Sequence, residues 1–169
     1  MRTLLICARL LRRLIGSGGA AHPVNQIGDG DLRVTPRRSS RGAIVLLHGL
    51  SPYGNRDPRL LALADAWAAA GFEAWLPRIL SLERLELSTR CVEDVGASLH
   101  RVSLRHGAPF MVFAPSFAGT LVVSALQQRE LRSHVRALWI LGAYADIDLT
   151  LEHLFAGWHA DEYGYLVVL

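Results

Sequence analysis

Four short, predominantly apolar segments, residues 43–47, 72–76, 110–114 and 135–141, alternate with stretches whose apolar residues recur at helical spacing. A continuous apolar run such as 43–47 has no polar face to turn to water and reads as a strand covered on both sides, and the other three segments read likewise. Strand and helix in strict alternation call for βαβ units with right-handed crossovers, hence a mostly parallel sheet with helices on both faces. The expected fold class is therefore a three-layer α/β sandwich.

The helix ends support this. Asp57 and Pro58 supply an N-cap and a first-turn proline, Leu60, Leu63, Ala64 and Trp67 follow on one face, and Gly71 stands where a C-terminal glycine belongs. Val92, Val95, Leu99 and Val102 mark a second helix that stops at Gly107, and residues 117–128 make a third. Residues 77–88 read as a loop or irregular turn. Upstream, residues 20–42 are polar and turn-rich, with a turn at 28–31 and a short edge strand at 32–34.

The chain divides into residues 1–19, an amphipathic basic helix and a flexible joint, and residues 20–169, the α/β domain, with 149–169 as the start of a lid or cap. In the first fifteen residues Arg2, Arg9, Arg12 and Arg13 face one side, and Leu4, Cys7, Leu10, Leu11, Leu14 and Ile15 the other. A helix docked on the domain and one lying on a membrane surface fit this pattern equally. Arg9, Arg12 and Arg13 interrupt the apolar core a secretory signal needs, and no run reaches the length of a membrane span.

With 169 residues, 51% of them hydrophobic, the chain is sized for one domain with a real core. All eighteen basic residues are Arg and the net charge is only +3. Without a basic helix carrying base-reading residues, or a basic strand interleaved with aromatics, nucleic acid is not an expected partner. Two cysteines, Cys7 and Cys91, match no metal spacing and suit a reducing, cytoplasmic compartment, with Cys91 buried in a helix. Neither a metal-ligand cluster nor a phosphate-binding loop occurs, so no cofactor is expected and a nucleotide-binding domain is set aside.

Ligands of open α/β sheets gather at the carboxyl ends of the strands. Two such ends carry chemistry-bearing residues: Leu47-His48-Gly49-Leu50, and Ala114-Pro115-Ser116-Phe117-Ala118-Gly119 on a strand-to-helix turn. A serine on that turn is lifted clear of the sheet, and the N–H that follows it, at a helix N-terminus, faces developing negative charge. The turn leaves room only for small residues two positions to either side, which Ala114 and Ala118 satisfy.

His48 and Gly49 after one strand, Ser116 on a turn after a later one, and the βα units between them resemble the α/β-hydrolase superfamily over residues 31–148. The family's G-x-S-x-G appears here as Ala114-x-Ser116-x-Ala118. The resemblance implies Ser116 as nucleophile, the backbone N–H groups of Leu50 and Phe117 as the oxyanion hole, and His48 and Gly49 as residues that shape the oxyanion loop. It also implies an acid and a histidine after the serine. Asp146 is the nearer candidate acid, with Asp148 behind it, and either serves equally well as a helix cap. His153 and His159 belong to a stretch that in the family forms the lid.

The resemblance further implies two more strands, each with its helix, and a histidine loop beyond Leu169. The expectation is thus a sheet incomplete at the C-terminal end, with an uncovered edge open to self-association. Two functions remain open: a serine hydrolase of a small-molecule ester, thioester or amide, weak or inactive in this form, and a non-catalytic binding or assembly module.

Overall fold

The computed structural model describes residues 22–146 together with 148, 149 and 152. Six strands form one mixed sheet in the order β1-β2-β4-β3-β5-β6: β1 Val24–Ile27, β2 Asp31–Val34, β3 Ala43–Leu46, β4 Glu73–Leu76, β5 Phe110–Pro115 and β6 Val135–Leu141. β3, β4, β5 and β6 run parallel, while β1 and β2 enter as an antiparallel hairpin paired to β4. The helices are α1 Pro58–Ala70, α2 Leu80–Glu83, α3 Arg90–His106, α4 Phe117–Ala125 and α5 Arg129–Ser133.

Alternation along the strands divides the interior into two cores. Val45, Leu47, Trp75, Phe110, Val112 and Ala114 face α3 and α4, meeting Cys91, Val95, Leu99, Val102, Ala118, Leu121 and Val122. Ile44, Leu46, Ala74 and Leu76 face the other way and meet Leu60, Ala64, Trp67 and Ala68 of α1. Burial on both faces is why these strands are apolar throughout, apart from Glu73 at the start of β4.

α1 starts and stops as its sequence dictates. Asp57 accepts from the Arg59 N–H at 2.9 Å, Pro58 occupies the first turn, and Gly71 closes the helix at φ +96°. Gly107 ends α3 in the same left-handed conformation.

Four expectations are corrected. Residues 32–34 lie in an interior strand, because Val24–Ile27 pairs outside it and takes the edge. Residues 77–88 contain the short helix α2, and the helix expected over 117–128 ends at Ala125, with α5 following. β6 is not buried on both faces: among the described strands it pairs only with β5, and Trp139, Ile140 and Leu141 remain substantially exposed. The N-terminal helix, Cys7, His153 and His159 lie outside the described residues. No described helix is long and apolar enough to cross a membrane.

Candidate active site

The chain runs from β3 through α1 to β4 on one side, then through α3 to β5 on the other side of β3. Strand order therefore reverses at β3, and the crevice between the carboxyl ends of β3 and β5 is the topological switch point, where open α/β sheets hold their ligands. Leu46 pairs with Phe113, and the Leu47 N–H donates to the Phe113 carbonyl at 3.0 Å. This register carries the turn after β3 directly against the turn after β5.

Ser116 occupies the second turn at φ +53°, ψ −137°. Few residues other than glycine adopt this conformation, which costs about 1–3 kcal/mol and persists only where the surroundings hold it. The Ser116 N–H donates to the Leu141 carbonyl at 2.7 Å, and the Ser116 carbonyl accepts from Gly119 at 2.9 Å. The side chain is half-buried. Phe117 opens α4, so its N–H belongs to the first turn and has no partner within the helix.

Gly49 comes close to the serine. A Cβ on Gly49 would lie 3.7 Å from the Ser116 Cβ and 3.8 Å from the Pro115 carbonyl oxygen. Leu50 follows, partly exposed at the rim. His48 is buried just before them. Its Nδ1 lies 2.9 Å from the Gly49 carbonyl and its Nε2 3.3 Å from the Ile79 nitrogen. A backbone N–H can only donate, so Nε2 accepts and Nδ1 carries the proton given to Gly49. Burial holds the imidazole below its usual 6.5, against the opposing pull of the Gly49 carbonyl and the Glu83 and Asp57 carboxylates. His48 is thus a neutral ring with both nitrogens engaged by backbone.

Asp146 accepts from the Leu149 N–H at 3.1 Å, a capping contact, and is exposed. The other described histidines stand elsewhere. His22 pairs with Asp65 of α1 at 2.8 Å. His106 lies beside Glu73, at the amino end of β4, and His134 precedes β6, both at the end of the parallel strands opposite to Ser116. His100 is exposed on α3.

Two residues matter more in space than in the one-dimensional pattern. A Cβ on Gly119 would meet the Ala143 Cβ and the Ile140 Cγ2 at 2.6 Å each, so glycine there lets α4 sit against the exit of β6. The Thr120 hydroxyl ties the same helix to the Tyr144 carbonyl. Asn55, buried in the loop after β3, bonds to the Gly30 and Leu76 carbonyls. In the sequence Asn55 is one polar residue of the segment between β3 and α1, and only the fold reveals its partners.

No protein-family model and no curated protein matches the chain. Solved structures do. A dienelactone hydrolase from Anabaena variabilis superposes with a TM-score of 0.56 at 17% identity, covering 75% of this chain and 64% of that one. A protein assigned as a thioesterase, from Silicibacter sp., gives 0.56 at 13% identity, covering 88% and 59%. A thermostable carboxyl esterase from Bacillus coagulans gives 0.53 at 15% identity, covering 85% and 53%. The chain thus spans between 53% and 64% of the length of these structures. Identities this low speak to architecture alone. On its topology and these superpositions, the chain has the α/β-hydrolase fold.

Proposed function

We propose that this chain carries the nucleophile and oxyanion side of a serine hydrolase site acting on a small-molecule ester, thioester or amide. The observation that supports it best is the conformation of Ser116, held at φ +53° on the turn between β5 and α4 at the switch point of the sheet. Backbone strain of this kind concentrates where function requires a particular side-chain direction. The serine Oγ attacks the substrate carbonyl carbon and gives up its proton to a base. The Leu50 and Phe117 N–H groups take the charge that develops on the carbonyl oxygen, each worth about 10²–10³ in rate. The leaving group departs protonated, and water then releases the acyl group from Ser116. In this reading His48 and Gly49 shape the oxyanion loop, Asp146 is the candidate acid, and the base comes from outside the described residues.

The alternative, a binding or assembly module on the same fold, draws support from three contacts. Both His48 nitrogens are engaged by backbone, and Asp146 is engaged by the Leu149 N–H. The two readings separate on treatment of the folded chain with a fluorophosphonate probe and mass mapping of the adduct. The hydrolase reading expects a tag on Ser116 that Ser116→Ala abolishes. A folded chain left untagged, or tagged elsewhere, overturns it in favour of the module.

A further inference from the structure

We propose that Asn55 is a positioning residue, which sets the turn carrying Gly49 and Leu50 by fastening it to the exit of β4. The inference rests on the reading of the Leu50 N–H as an oxyanion donor. Asn55 is only 2% exposed, and its Nδ2 donates to the Gly30 carbonyl at 3.0 Å and to the Leu76 carbonyl at 2.9 Å. Two carbonyl acceptors on separate elements fix the amide group's orientation, because neither would tolerate the side-chain oxygen.

The turn meets the same platform at three further places. Before it, His48 accepts the Ile79 N–H. In its middle, the Ser51 N–H donates to the Leu82 carbonyl at 3.4 Å. Near its end, Gly54 at φ +52° lies so close to the Glu83 carboxylate that a Cβ would collide with it, and Arg78 grips that carboxylate through Nε at 3.0 and 2.9 Å. Residues 48–55 are therefore pinned to residues 76–83 along their length. Asn55 is the pin whose side chain spans two elements, and its contacts leave the Ser116 turn to be held separately through Leu141. Loss of the amide unfastens the donor and leaves the nucleophile in place.

The test compares the parent chain with Asn55→Ala and the milder Asn55→Ser in two measurements. One is amide hydrogen exchange across residues 48–54, with β5 as the internal reference. The other is fluorophosphonate labelling of Ser116 over a range of probe concentrations. Positioning predicts exchange over 48–54 accelerated about tenfold or more while β5 is unchanged. It also predicts a maximal labelling rate lowered about 10–100-fold, with the half-saturating probe concentration nearly constant, since a misplaced oxyanion donor costs rate more than binding. Unchanged exchange over 48–54, or an unchanged maximal rate in a variant with accelerated exchange, overturns the proposal. If Ser116 of the parent takes no label, the nucleophile reading fails, and exchange alone then upholds or overturns Asn55 as the residue that sets the turn.

Discussion

The Ile79 N–H donates to His48 Nε2 across 3.3 Å, a contact only an unprotonated nitrogen can accept. Protonating His48 would set two N–H groups against each other in a buried place, where desolvation already disfavours the charged ring. The folded state therefore binds this proton less readily than the unfolded state does. Below the ordinary histidine value of 6.5 the unfolded chain takes up more protons, so stability rises with pH in that window. The contribution is fully present above about 6.5 and is lost as pH falls towards the depressed folded value. Equilibrium denaturation between pH 7.5 and 5 should show the parent losing stability more steeply than His48→Gln, by up to about 1.4 kcal/mol per pH unit. Parallel pH profiles would show that His48 does not exchange a proton with folding.

Ser116 offers a direct measure of stored strain. Glycine reaches φ +53°, ψ −137° freely, whereas alanine meets the same clash as serine. Ser116→Gly should be more stable than Ser116→Ala by about 1 kcal/mol, the strain relieved less the extra chain entropy of glycine. Comparing the two variants with each other removes the hydroxyl from consideration. Chemical denaturation is the measurement, and an alanine variant equal to or more stable than the glycine one would mean the turn holds no such strain.

Two helical glycines should respond in opposite directions to alanine. A Cβ at Gly119 would stand 2.6 Å from the Ala143 Cβ and the Ile140 Cγ2, atoms too short-tethered to move aside. Gly119→Ala should cost about 1–3 kcal/mol in spite of alanine's better helix propensity. At Gly96 in α3 the nearest atom is the Ala125 Cβ at 3.7 Å, an ordinary contact, so Gly96→Ala should stabilise by up to about 1 kcal/mol. Thermal melts of the two variants give the comparison, and equal signs would refute the packing of α4 on the exit of β6.

These contrasts show what the sequence discloses and what it hides. β3, β4 and β5 were legible because burial on both faces forces apolar residues at nearly every position, Glu73 at the start of β4 excepted. The ends of α1 and α3 were legible because Asp57, Gly71 and Gly107 follow capping chemistry. The conformation of Ser116 was foreseeable from its place between a strand and a helix. The edge strand Val24–Ile27 was not, since only its first and last residues are apolar and its partner supplies the order. β6 has the composition of a buried strand, yet composition does not say what stands beside it. Asn55 and Gly119 stand in segments beside the expected site, but their roles were not legible because their partners lie 21 or more positions away, brought near only by the sheet.

Asp31 tests the platform from beneath. It is almost wholly buried, and its carboxylate accepts from Arg105 Nη1 at 2.8 Å, Arg101 Nη2 at 3.1 Å and the Arg78 N–H at 2.9 Å. One charged group thus joins the start of β2, the exit of β4 and the outer turns of α3. Removing it strands the Arg78 N–H, while Arg101 and Arg105, each about 30% exposed, can turn towards water and Asp29. Breaking a buried pair from the buried side costs about 3–5 kcal/mol, which is the loss expected for Asp31→Ala. Asp31→Asn keeps an acceptor for Arg78 but points an amide N–H at a guanidinium, so about 2 kcal/mol is expected, the worth of one charge-assisted hydrogen bond. Arg105→Ala should cost less than either, because Asp31 retains Arg101 and the Arg78 N–H. Since Arg78 precedes the Ile79 amide that holds His48, the loss should also appear as faster amide exchange at residues 78–82. Denaturation and exchange on the three variants check the order, and Arg105→Ala proving the most damaging would move the anchor from Asp31 to the surface arginines.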